Sequence, residues 1–222
     1  VNIDDVTEVK LPDGSRFEAI FNYQHELMKK YGPIERRNGC IIPDPPYDID
    51  NHFVQARIRD MFWRATEEIA EALEEVPGTL RKWRDVWDDD SAVRHVLEEL
   101  SDTLHFMVEA STYANFDAHV LDTQSIWGGV VSRSYPPLNK FTLRTACADY
   151  VFELGLAANC LKNKPWKQSQ MVTDRDAFNA RLEGAWANLL IIFALFGMSI
   201  DEVYVLYAKK NIVNQFRQRS NY

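Results

Sequence analysis

Apolar residues recur at three- and four-residue steps along most of this chain, and that period is the strongest constraint on its fold. Val54, Ile58, Phe62, Ala65, Ile69, Ala72 and Leu73 form one such stripe, and Val93, Val96, Leu97, Leu100, Leu104, Met107 and Val108 form another. A helix turns ~100° per residue, so these positions gather on one face, whereas a half-buried strand requires strict alternation. No alternating run of strand length occurs, nor any internal repeat or low-complexity tract. The sequence therefore predicts an all-α chain: an antiparallel helical bundle core with additional C-terminal helices.

The punctuation between the stripes sets the expected boundaries. Ser15-Arg16-Phe17-Glu18 reads as a capping box opening a first helix, whose stripe is Phe17, Ile20, Phe21, Leu27, Met28 and Tyr31 and whose stop is Gly32-Pro33. Pro43, Pro45 and Pro46 place a loop within Asn38 to Asn51. A second helix is expected from His52 to Val76, ended by Pro77-Gly78, and a third from Ser91 to Tyr113, its positive N-terminus matched by Asp88-Asp89-Asp90. Trp127 to Lys140, with two Gly and two Pro, reads as a connection. Three more helices are expected at 142–161, at 174–196 begun by Thr173 with Asp176, and at 200–218 begun by a capping box from Ser199 to Glu202. With loop or insert segments near 33–51 and 122–141, the 222 residues read as a single domain spanning 1–222.

Charge and cysteine content remove several function classes. A formal net charge of −8 disfavours a general nucleic-acid partner, although local charge can oppose the global sign and admit a small phosphorylated substrate. Cys40, Cys147 and Cys160 are odd in number and lack Cys-x-x-Cys spacing, which argues against a disulfide framework and a thiolate zinc site and for a reducing, cytoplasmic compartment. The longest apolar run, Leu189 to Phe196, falls well short of the ~18 residues of a membrane span, so no membrane partner is expected. The chain opens without a basic and apolar leader, so no secretory signal is expected either.

The residues that carry chemistry are two matched acidic motifs on consecutive helices. Glu68-x-x-Glu71 is followed, after 27 intervening residues, by Glu99-x-x-Asp102. Carboxylates three apart stand roughly 5–6 Å from each other on one helical face. With Ile69 and Leu100 each set to zero, Glu68 and Glu99 both fall at about −100°, and Glu71 and Asp102 both at about −160°. Packed through their stripes, the two helices turn these flanks toward a shared groove. Four converging carboxylates repel unless protonated or bound to a divalent ion, and oxygen-only ligands favour Mg²⁺ or Mn²⁺ over zinc. Acidic pairs on solvated helix faces are common, yet Phe106 sits at about −120° among them and His105 lies one turn past Asp102, so that face is expected to be covered by chain or ligand.

Two further features concern polar groups in unusual places. Gln24 interrupts the apolar stripe of the first helix, where its amide either meets neighbouring backbone or reads the edge of a bound base. On the last helix Lys210, Asn214 and Arg217 recur at i, i+4 and i+7 with Asn211 beside them. Cations at a helix C-terminus complement its dipole, and beside a metal site they also supply the second clamp of a polyphosphate.

Together these residues resemble the dimeric dUTPases within the all-α, MazG-like nucleoside triphosphate pyrophosphatases, over most of the chain. Glu68-x-x-Glu71 with Glu99-x-x-Asp102 is similar to the superfamily's magnesium motif, and Asp102-Thr103-Leu104-His105-Phe106 to the dUTPase segment in which a His follows the metal Asp by three. The tail YAKKNIVNQFRQRSNY resembles the family's last helix through Lys210, Asn211, Asn214, Arg217, Gln218 and Tyr222, with Asn221 where Gly is common. FNYQHELM resembles its first helix with Gln24 in the base-reading place, and LKNKPWKQSQM, which holds Lys167, a basic loop. The segment after Glu71 departs from the family: its Trp-rich run is absent there, and the first Trp after Glu71 is Trp83.

The resemblance implies Mg²⁺-dependent hydrolysis of a deoxynucleoside triphosphate, dUTP or also dUDP, to the monophosphate, by a homodimer. It implies Glu68, Glu71, Glu99 and Asp102 as metal ligands, with Glu71 and Glu68 acting on the attacking water. Lys210 and Arg217 would then meet phosphate, Gln24, His105, Asn211 and Asn214 the base or sugar, and Lys167 and Tyr222 are implied as further substrate contacts. A dCTP-specific or broad pyrophosphatase keeps the same chemistry, because an amide can rotate to serve uracil or cytosine. A di-iron oxidase needs two Glu-x-x-His motifs, and none is present. A non-catalytic helical interaction module is the reading of another class, and it predicts no Mg²⁺-dependent change in stability.

Overall fold

The computed structural model describes residues 2–6, 8–74, 76, 80, 91–164 and 166–219. Among them the chain forms α1 (Arg16–Arg37), α2 (His52–Glu74), α3 (Ser91–Tyr113), a short α4 (Gly129–Val131), α5 (Lys140–Cys160), α6 (Arg175–Leu195) and α7 (Ile200–Arg219). No strand occurs among the described residues, and the all-α expectation holds.

Two helix pairs make the body. α2 lies along α3 and α5 along α6, while α1 and α7 close over α3. The first pairing is antiparallel: Arg57, early in α2, reaches Glu109, late in α3, whereas Glu68 lies beside Glu99. α1 and α7 run the same way, because Arg16 meets Asp201, Gln24 meets Tyr207 and Lys30 meets Gln215. The stripes read from the sequence are the buried ones, from Ile58, Ala65 and Ile69 on α2 to Val96, Leu100 and Leu104 on α3. Trp186 sits fully buried between the layers, its indole N–H donating to Ser111 Oγ at 2.9 Å, which satisfies the one polar atom it carries inside. Between α6 and α7 the axis bends by 98° at a short break, where Gly197 takes φ +77°, a left-handed conformation that side chains disfavour.

Several boundaries differ from expectation. α1 does not stop at Gly32-Pro33 but continues to Arg37. Proline forfeits one backbone bond, but the turn beyond it is held by tertiary contacts: Glu35 pairs with Arg57 at 2.7 Å and Arg36 donates to Ile42 O at 3.1 Å. The N-cap of α6 is Asp174, whose carboxylate accepts from Ala177 N at 3.0 Å. Thr173 is buried instead, accepting from Gln55 Nε2 at 2.9 Å. The segment near 122–141 is partly helical, with single turns at Ala118–Asp122 and Gln124–Gly128 running into α4. The box at Ser199 and Glu202 forms, with Ser199 N donating to Glu202 Oε2 at 2.6 Å. Pro77-Gly78 and Asp88-Asp89-Asp90 lie outside the described residues.

Candidate active site

The antiparallel register of α2 and α3 brings the acidic flanks together. Glu68, Glu71 and Glu99 each place a carboxylate oxygen within 4.8 Å of the other two. Glu68 and Glu99 are half-buried and Glu71 is exposed, so the triangle opens to solvent on one side. Burial pushes the Glu68 carboxyl up to about 8, and the negative charges of Asp102, Glu99 and Glu71 and a hydrogen bond with Glu99 push the same way. His95 Nδ1 lies 3.1 Å from Glu99 Oε1 at the triangle's edge. Three oxygen donors on two rigid helices, unfavourable as a set of free anions, fit a hard divalent cation.

Asp102, the fourth expected carboxylate, stands apart from that triangle and pairs with Lys210 Nζ at 2.7 Å, with Glu98 Oε2 a further neighbour at 4.0 Å. α7 thus delivers its cation to the acidic groove, as the sequence suggests, but onto a carboxylate. Lys210 is buried along its length and Asn211 fully so. The Asn211 side-chain carbonyl accepts from Gln215 Nε2 at 2.7 Å, and its buried Nδ2, beside the Tyr207 hydroxyl, makes no hydrogen bond of regular geometry among the described residues.

Beside the carboxylates lies a cavity of about 160 Å³ that Asp102 lines, and the charge of Asp102 also acts on Glu68 in the triangle. Gln24, His105, Phe106 and Asn214 also line it, so three expected substrate contacts from α1, α3 and α7 converge on one space. His105 shows why that space suits a ligand. Its Nδ1 lies 2.8 Å from Ser101 O, a carbonyl that only accepts, so Nδ1 carries the proton and Nε2 offers a lone pair. Nε2 is buried and has no hydrogen-bond partner among the described residues. Burial holds the imidazole below its ordinary range, and the ring stacks on Tyr207 at 4.0 Å and 15°. Phe106, expected to be covered, packs against the core with the Arg64 guanidinium 5.8 Å above its ring.

Under the cavity runs a network that the sequence reading missed. Arg57 Nη2 donates to Glu35 Oε2 at 2.7 Å and to Glu109 Oε1 at 2.8 Å, and Nη1 donates to Asp60 Oδ2 at 3.0 Å. Glu109 Oε2 then accepts from Gln24 Nε2 at 3.1 Å, and Gln24 Oε1 accepts from the Tyr207 hydroxyl at 2.7 Å. Burial raises the Glu109 carboxyl while the Arg57 charge pulls it down. A signal was present: Arg57 falls between Val54 and Met61 on the buried face of α2, and Glu109 lies seven residues after Asp102. Charged residues at such positions are seldom buried without partners.

Other expected contacts are placed less centrally. Lys167 is exposed in the segment after α5, and no described contact brings it to the cavity. Arg217 lies near Tyr31, which faces the cavity, and its charge opposes the raising of the Tyr31 hydroxyl by burial. Trp83, Asn221 and Tyr222 lie outside the described residues.

Comparison with known families decides the class. Residues 64–222 match the family model described as dUTPase. The chain belongs to the dUTPase family. The matched stretch holds both acidic motifs, His105 and α7, while Gln24 on α1 lies before it. This dUTPase is a nucleotide pyrophosphohydrolase, a dUTP diphosphatase, as its acidic motifs and tail led one to expect. No curated protein and no solved structure matches the chain. Among the described residues no single helix of the enzyme is long and apolar enough to cross a membrane.

Proposed function

We propose that this enzyme converts dUTP, and dUDP as a shorter substrate, to dUMP with Mg²⁺ bound by Glu68, Glu71, Glu99 and Asp102. The observation that carries the reading is the carboxylate triangle, within 4.8 Å, beside a cavity lined by Asp102, Gln24, His105 and Asn214. When bound, Mg²⁺ or Mn²⁺ supplies positive charge against the phosphates and lowers the pKa of coordinated water.

The chain's own groups do the rest. Glu71, the exposed corner of the triangle, orients the attacking water and takes its proton, with Glu68 beside it as the second group acting on that water. Lys210, whose ammonium faces Asp102, turns its charge to phosphate oxygens, and Arg217 and Lys167 add to that clamp. Gln24, His105, Asn211 and Asn214 hold base and sugar in the cavity, with Tyr222 contributing from the tail. His105 Nε2 accepts one nucleoside hydrogen bond, which supplies its missing partner.

We also read the chain as one domain that works as a homodimer in a reducing, cytoplasmic setting. Its three cysteines are free. Ile41, Phe53 and Trp63 stand exposed on and beside the outer side of α2, an apolar face that a second copy would cover. The test is release of inorganic pyrophosphate from a panel of dUTP, dCTP, dTTP, dATP and dGTP with Mg²⁺. Preference for dUTP is expected. Equal rates across the panel, or a dCTP preference, would replace the substrate assignment.

A further inference from the structure

We propose that Glu109 and Tyr207 are specificity-determining positioning residues: they clamp the Gln24 amide in one of its two flip states and thereby exclude cytosine. The inference rests on the reading of Gln24 as the group that meets the base.

A primary amide is nearly symmetric in shape and opposite in hydrogen-bonding sense at its two ends, so a 180° flip exchanges donor for acceptor. Here both ends are committed. Nε2 donates to Glu109 Oε2 at 3.1 Å, and Oε1 accepts from the Tyr207 hydroxyl at 2.7 Å. A flip would set the amide oxygen against a carboxylate oxygen, and it would require the Tyr207 hydroxyl, which now donates, to turn and accept from the NH₂. Each clamp is itself held. The Arg57 guanidinium donates to the other oxygen of Glu109 at 2.8 Å, which favours the ionised, acceptor-only carboxylate. The Tyr207 ring is stacked on His105 at 4.0 Å, which fixes the place of its hydroxyl. Gln24, Glu109, Arg57 and Tyr207 are all buried, so water is a poor substitute for any member.

The amide keeps one N–H and one lone pair for a ligand in the cavity that Gln24 lines. Uracil presents N3–H and O4, a donor beside an acceptor. Cytosine presents N3 and the N4 amino group, an acceptor beside a donor. An amide held one way pairs twice with one base and meets the other with two mismatches, whereas a free amide serves both. Since the enzyme is a dUTPase, the held state is the uracil-pairing one, and the forbidden flip is the one cytosine needs.

The test compares kcat/KM for dUTP and dCTP, read as pyrophosphate release, in the wild-type enzyme and in Glu109→Gln, Tyr207→Phe and Gln24→Ala. In Glu109→Gln the side chain at 109 either donates or accepts, so the dUTP:dCTP ratio is expected to fall at least about tenfold, with kcat/KM for dCTP rising in absolute terms. Tyr207→Phe keeps the ring and is expected to shift the ratio the same way, and it decides alone if Glu109→Gln does not fold. Parallel losses for both nucleotides at an unchanged ratio would overturn the proposal, because a merely structural role damages both equally. Gln24→Ala separates the two layers. Loss of discrimination there with a wild-type ratio in the clamp variants removes the clamp alone; a wild-type ratio in Gln24→Ala removes the base-reading role and the clamp with it.

Discussion

Lys210 Nζ lies 2.7 Å from Asp102 Oδ2, so the cation assigned to phosphate and the carboxylate assigned to metal face each other across the α3–α7 contact. The pair joins the two halves of the site. It also offsets one of the negative charges that raise the Glu68 carboxyl, that of Asp102.

Lys210→Met is therefore expected to act in opposite directions on two quantities. Asp102 loses its counter-ion, so Mg²⁺ affinity without nucleotide rises in calorimetric titration. Phosphate loses a clamp, so kcat/KM for dUTP falls by roughly 10²-fold or more.

Glu68 gives a pH signature in metal-free protein. Its folded carboxyl titrates at about 8 against an ordinary 4.5, chiefly through burial and then through its acidic neighbours, so the folded state holds the proton more tightly. That contribution to stability is complete below about 4.5 and is lost as pH rises through about 8. Thermal melts in EDTA are expected to decline across that window, less so in Glu68→Gln, and saturating Mg²⁺ is expected to remove most of the slope.

His105 acts with the opposite sign. Burial depresses its folded imidazole below the ordinary 6.5, so the neutral ring is the one the fold prefers. Its contribution is complete above 6.5 and is lost as pH falls through the depressed folded value. Urea denaturation of metal-free protein between pH 7.5 and 5 is expected to show a shallower acid limb in His105→Phe, which retains a ring to stack on Tyr207.

The Arg57 network should behave as a unit. Arg57→Met strands the buried Glu109 carboxylate, leaving Glu35 with Arg64 at 3.7 Å, and is expected to cost about 3–5 kcal/mol in urea denaturation. Adding Glu109→Gln should cost less than in the wild-type background, with a coupling of roughly 0.5–3 kcal/mol in the double-mutant cycle.

The sequence made the helices and the acidic triangle legible because both are local: a stripe and an i, i+3 pair are written within one helix. Ile69 and Leu100 fixed the wheel positions, and the antiparallel register of α2 and α3 completed the groove. What stayed hidden depends on register between distant helices. The bond from Gln24 to Glu109 spans 85 residues and that from Gln24 to Tyr207 spans 183, and neither has a local periodic signature. Pro33 misled for a related reason, since the contact that holds the turn after it comes from Arg57 on another helix. Which charge Asp102 meets is likewise decided at a distance, by Lys210 on α7.

The most direct test of the account is the rate of dUTP hydrolysis by Glu71→Gln with saturating Mg²⁺, measured alongside Mg²⁺-dependent thermal stabilisation. If the triangle binds the ion and Glu71 acts on the attacking water, the rate falls by roughly 10²–10⁴-fold while the protein stays folded and the stabilisation weakens. A Glu71→Gln enzyme that hydrolyses dUTP at the wild-type rate would contradict it.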